Sequence, residues 1–332
     1  MKDANGCAYF WDPIVYSRSK RRVNHFTVQL LKVSAPIIID CHTHCFSAEL
    51  QEDPDAWAKR NNEPHWCELV APKSKPSIQG WASADDHVVA MDKAGVKQSV
   101  LLGWYWEQEK NCRWQNDVTA SWVRKYPERF IGYAAIQPNT SSVAVINQLE
   151  YAKSLGLSGV GELHMGVQGF DSNHAGWITL ADWCCSHHWP INLHVTEAAG
   201  SKQIGSYPTP LNEFIAFAEG HPQLCMILAH WGGGLAFYEH NPRIRKILKN
   251  VYYDCAASPL LYHPSIFRSI IESAGSRKIL FGSDYPLRVY PKLQKTPKMT
   301  DFIQSIQLDA QLTETELASL FYQNFKDLTV PS

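Results

Sequence analysis

Eight short apolar runs, each followed by a loop and then by an amphipathic helical pattern, constrain this 332-residue chain more than any other feature. The runs cover residues 37–41, 98–102, 130–135, 159–163, 191–195, 225–229, 251–254 and 278–281. They are rich in Val, Ile, Leu and Phe and are continuous rather than alternating, as strands buried on both faces should be. Strands that alternate with helices make βαβ units and a parallel sheet. Eight of them are the number that closes a (β/α)8 TIM barrel. The competing arrangement is an open doubly wound sheet, but no glycine-rich phosphate turn follows the first run.

The helices between the runs carry their own punctuation. Ser83 with Asp86 three residues on predicts a capped start for a helix reaching Lys93, with Gly95 as its stop. Further helices are expected over 116–125, 141–154, 177–187, 212–219 and 264–273, each ending at or before a Gly or Pro. A last helix over 313–325 opens with Thr313 and Glu316 in a capping-box arrangement. The long connection over 45–80 carries Pro, Trp and charges and is expected to fold over the barrel mouth. Residues 1–34 are weakly patterned and too few for a second domain, so they read as an N-terminal extension of a barrel domain over 35–332.

Composition closes off other classes. A formal net charge of -1 offers no electrostatic reason to expect nucleic acid or an anionic membrane as partner. No charged-then-apolar leader opens the chain, and no apolar run approaches 18 residues. The nine cysteines lack CxxC spacing, and Cys184 and Cys185 are adjacent. Free thiols in a reducing cytoplasm are the simplest reading.

Chemistry in such a barrel sits at the C-terminal ends of the strands, so the residues there test the assignment. The first run ends in His42 and His44, spaced so that both imidazoles project to one side and can bind one cation. The fourth ends in Glu162, the fifth in His194, the sixth in His230 and the eighth in Asp284. Any one of them could be an ordinary polar strand-end residue. Six at the same end of one barrel, all imidazole or carboxylate, point to a site for zinc or a similar divalent ion.

The HTH of 42–44, the histidines at 194 and 230, AHWGG at 229–233 and FGSDYP at 281–286 together resemble the amidohydrolase superfamily. More narrowly they resemble its amidohydrolase-related branch, which includes aminocarboxymuconate-semialdehyde decarboxylase, resorcylate-type decarboxylases and dicarboxylate lactonases. The resemblance spans roughly 36–328. It implies that His42, His44, His194 and Asp284 are ligands of one divalent metal, and that Asp284 doubles as general acid/base. It also implies that His230 assists catalysis or holds a second metal; dimers are common among such barrels. Glu162 departs from the decarboxylase pattern. A Gly-Glu at that strand looks like the TatD-type hydrolases, where the glutamate bridges two metals, although it could equally pair with a buried cation or support a ligand from behind.

A divalent ion with an open position lowers the pKa of its water from 15.7 to about 7 and polarises a carbonyl. With Asp284 moving the proton and His230 donating to the oxyanion, that set would hydrolyse a small-molecule amide, ester or lactone. Without an attacking water, similar parts support non-oxidative decarboxylation of a small carboxylic acid. A barrel kept only for binding is the third reading. Trp104, His164 and Arg288 are the substrate-binding candidates, with Tyr105, Trp106 and Tyr285 beside them, although the aromatics could simply cap the barrel. Asp254, ending the seventh run, is a candidate support for a ligand. His87, His187, His188, His221 and His240 fall in or beside helices and are assigned no chemistry.

Overall fold

The computed structural model describes residues 37–70, 77–199, 205–288 and 294–329. The expectation for residues 1–34 lies outside the described residues. All eight strands form: β1 (Ile38–Thr43), β2 (Val96–Leu101), β3 (Phe130–Gly132), β4 (Val160–Leu163), β5 (Ile191–Leu193), β6 (Met226–Leu228), β7 (Val251–Asp254) and β8 (Ile279–Leu280). Every pairing is parallel, in the order β1-β2-β3 and β4-β5-β6-β7-β8.

Two bridges close the circle. Ala134 pairs with Val160 and joins β3 to β4, while Thr43 pairs with Tyr285 and joins β8 to β1. The Cys41 amide donates to Phe281 O at 2.8 Å, and the Asp284 amide to His42 O at 2.9 Å. Closure of this kind excludes the open sheet and makes the fold a (β/α)8 barrel. It also fixes which strand ends meet around the mouth.

The interior shows why chemistry is confined there. Ile39, Cys41, Val100, Leu102, Ile227 and Leu280 share one buried cluster with Tyr133 and Phe325. Strands β2 and β6 stand on opposite walls, so these side chains can meet only across the barrel axis. Burying each aliphatic residue is worth roughly 1.5–3 kcal/mol, and an unpartnered polar group there would forfeit as much or more.

The described part of the connection over 45–80, residues 45–70 and 77–80, is more ordered than its composition suggests. It holds helices Ala48–Glu52, Pro54–Asn61 and Pro64–Val70, and Phe46 just before them packs with Leu50, Trp57, Trp66, Trp104 and Trp106 in a second apolar cluster. Pro54 and Pro64 act as helix starters: each occupies a first helical position, where the missing N–H costs nothing. The helix expected from residue 116 begins two turns earlier, at Glu109. Its first half escaped the periodicity because its buried face is polar. Gln115 Oε1 accepts from Trp104 N at 2.9 Å, and Asn116 exchanges hydrogen bonds with Ala135 N and O at 2.8 and 2.9 Å.

The capping signals survive intact. Ser83 and Asp86 form a capping box, as do Thr313 and Glu316. The helix from Glu314 passes through a π-helical stretch at Ser319–Gln323 and ends at Thr329, beyond the expected end at 325. Glu316 also receives Arg268 Nη1 and Nη2 at 2.9 and 2.7 Å, which with the Thr313 amide holds its carboxyl down at about 2. A depressed carboxyl contributes stability above its unfolded value near 4.5 and loses it as pH falls toward 2. Glu316→Gln is expected to cost about 1 kcal/mol at pH 7, a fall in Tm of roughly 2 °C. Thermal melts of both proteins at pH 7 and pH 3 check it, and the gap must narrow at the lower pH.

Candidate metal centre

His42, His230 and Asp284 reach the mouth by specific local devices. His42 lies inside β1, where the pairing register shifts between Asp40 and Thr43, and the His42 and His44 rings stand 5.3 Å apart, nearly perpendicular. Gly282 lets β8 approach: a Cβ there would sit 2.7 Å from the His42 Cβ. His230 and Asp284 adopt φ of 56° and 60°, which side-chain-bearing residues rarely do. Such conformations persist only where surrounding structure over-determines them, and they cluster at functional sites.

The donor atoms converge. His42 Nε2 lies 3.9 Å from Glu162 Oε2 and 3.8 Å from Asp284 Oδ1. His44 Nε2 lies 3.8 and 3.7 Å from the same two oxygens. Ligands held at 2.0–2.2 Å by one ion stand about 3 to 4 Å apart, the range in which each of these four contacts falls. His42 Nε2 is enclosed and has no hydrogen-bond partner, the condition expected of a nitrogen facing a metal.

Glu162 has a second side. Its Oε1 lies 2.8 Å from His194 Nδ1 and 3.5 Å from His230 Nε2, and those two nitrogens are 3.2 Å apart. Both His42–His44–Asp284 and His42–Glu162–His230 are compact enough to hold an ion. His194 therefore meets Glu162 and His230, on the far side of the carboxylate from His44.

Electrostatics favour a positive charge here. Burial pushes the His42 imidazole down, but Asp254, Glu162 and Asp284 overcome it and raise it to about 10. Burial also works against the Glu162 carboxylate, yet His194 and His42 hold it well below the usual range. Burial and the neighbouring His42 lower His44. His230 is raised, the pull of Glu162 and Asp284 outweighing its burial. Asp40, just beneath, is pushed up to about 7 by burial, although its Oδ1 accepts from the His42 and Ser283 amides at 3.2 and 3.0 Å.

Two of the three substrate-binding candidates flank the donors. The Trp104 ring lies 5.5 Å from His44, and the His164 ring stacks on His194 at 4.7 Å. Arg288 instead bonds the chain at Ser77 and Ile78 through its guanidinium and its amide. Two further residues join the wall. Tyr105 stands 5.6 Å from His194 and 5.1 Å from His164, and His65 stands 6.1 Å from His164. Tyr105 was legible beside Trp104 as part of one aromatic triplet; His65 had no signal, because no strand end announces it. His87, given no chemistry, is buried with its Nδ1 3.1 Å from Cys45 Sγ.

The family described as Amidohydrolase matches residues 39–325. No curated protein matches the chain. Among solved structures, 5-carboxyvanillate decarboxylase from Sphingomonas paucimobilis superposes with a TM-score of 0.65 at 15% identity, covering 89% of this chain and 99% of that one. 2,6-Dihydroxybenzoate decarboxylase from Rhizobium gives 0.63 at 17%, covering 89% and 99%. A 5-carboxyvanillate decarboxylase from Novosphingobium aromaticivorans, complexed with manganese, gives 0.68 at 13%, covering 89% and 96%. At these identities the likeness speaks for the fold. Among the described residues, no helix is long and apolar enough to cross a membrane.

Proposed function

The chain belongs to the amidohydrolase family, and on that premise we propose that it is a metal-dependent hydrolase of a small-molecule amide, ester or lactone. The observation that carries this reading is Glu162, whose two oxygens face two different donor groups. His42, His44, Glu162 and Asp284 would hold one divalent ion. Glu162, His194 and His230 would hold a second. Zinc is the ion proposed, and the manganese in the Novosphingobium structure makes manganese the alternative for elemental analysis to decide.

When bound, the ion supplies a Lewis acid and an acidified water. The chain's residues do the rest. Asp284 takes the proton of the attacking water and passes it to the leaving group, its Oδ2 lying 4.0 Å from His230 Nδ1. His230 keeps Nδ1 against the Ala256 carbonyl at 3.1 Å, which turns Nε2 into the site as the nitrogen that would hold the second ion; with a single ion bound, the same Nε2 would instead face the oxygen gaining charge. Trp104 and His164 wall the substrate.

A second reading is decarboxylation, supported by the likeness to decarboxylases. There the bond to the carboxyl carbon breaks, CO2 leaves, and Asp284 relays a proton taken up from solvent to the carbon left behind.

Metal analysis with a substrate screen separates the two. Hydrolysis predicts two ions per chain, one of them lost in Glu162→Gln, with turnover of amides, esters or lactones falling about 10³-fold as several kcal/mol of Lewis-acid stabilisation is removed. A single ion, unchanged in Glu162→Gln, with CO2 released from aromatic carboxylic acids, would establish the lyase.

A further inference from the structure

We infer that Asp254, ending β7, is the positioning residue that presents His42 Nε2 to the cation; the inference rests on the metal reading above. The carboxylate is fully buried and takes four hydrogen bonds. Its Oδ2 accepts from His42 Nδ1 at 2.9 Å and from Asn192 Nδ2 at 3.1 Å. Its Oδ1 accepts from the main-chain amides of His230 at 3.1 Å and Ala256 at 3.0 Å. One side chain thereby ties β1, β5 and the segments after β6 and β7 into one network behind the mouth.

The chemistry of those four partners explains why a carboxylate is needed. Main-chain N–H groups can only donate, so the Oδ1 side must be an acceptor. Opposite Oδ2, an acceptor keeps the proton of His42 on Nδ1 and leaves the Nε2 lone pair facing Glu162 and Asp284. An asparagine at 254 has the same shape but only one oxygen. The two amides claim that oxygen, and the NH2 then falls against His42 Nδ1. That nitrogen must become the acceptor, and the ring proton moves to Nε2, where the cation belongs. Asp254 touches no reacting atom and acts through His42, as carboxylates behind metal-bound histidines do.

The test strips wild type and Asp254→Asn with chelator and titrates each with Mn2+ by calorimetry. Histidine 15N NMR of the Zn2+-loaded proteins reads which nitrogen carries the proton. The expected result is Mn2+ binding 10- to 100-fold weaker in the variant, with His42 protonated at Nδ1 in wild type. Binding within twofold of wild type overturns the inference. So does a wild-type His42 that ligates through Nδ1, a measurement that needs no variant to fold. A wild type that takes up no divalent ion overturns the metal reading instead.

Discussion

Replacing His42 and His44 together by alanine is expected to remove the divalent ion and with it nearly all turnover. The two imidazoles supply two of the three members of the His42–His44–Asp284 group, and Asp284 alone cannot hold the ion. Losing several kcal/mol of Lewis-acid stabilisation corresponds to a fall of about 10³-fold or more in kcat. The fold should survive, because the closing bridges and the apolar interior do not involve either ring. Stability will drop, since Asp254 loses the His42 donor and a buried acceptor left short of a partner costs about 1–3 kcal/mol. Elemental analysis of dialysed protein, circular dichroism and kcat are the readouts. Unchanged metal content in the double variant would remove the foundation of the site.

Asp284→Asn is expected to separate metal binding from proton transfer. The substitution keeps the shape and an oxygen toward His42 and His44, so part of the metal affinity remains. It also suits the backbone, because asparagine tolerates the φ of 60° that Asp284 adopts. What it removes is a group that can take and return a proton, worth typically 10²–10⁴ in rate. The outcome to look for is a kcat reduced by that factor in protein that still carries metal when the ion is supplied in excess. A metal-loaded variant within tenfold of wild type would mean that another group moves the proton.

The eight runs were legible because burial on both faces demands continuous apolar residues, a demand that leaves a trace in sequence. The strand-end polar residues were legible for the complementary reason: the interior excludes them, so they collect at the mouth. Other features left weaker traces. The helices Pro54–Asn61 and Pro64–Val70 hide behind prolines that also mark loops, and their aromatic side chains look like surface cover until Trp104 and Trp106 pack on them. The early turns of the helix from Glu109 hide behind buried Asn111, Gln115 and Asn116, whose partners lie in distant segments.

Periodicity and the chemistry of strand ends thus determined the barrel, its mouth and the residue types that face it, because both are set by local burial and by alternation along the chain. Closure decided the rest. That Glu162 stands between His44 and His194, that His194 lies across the carboxylate from His44, and that Asp254 gathers four donors are facts about atoms from different strands. Such distances depend on the register at which β8 meets β1 and β3 meets β4, and no pattern within one segment encodes that register. Only the closed barrel brings residues 42, 162, 254 and 284 within reach of one another.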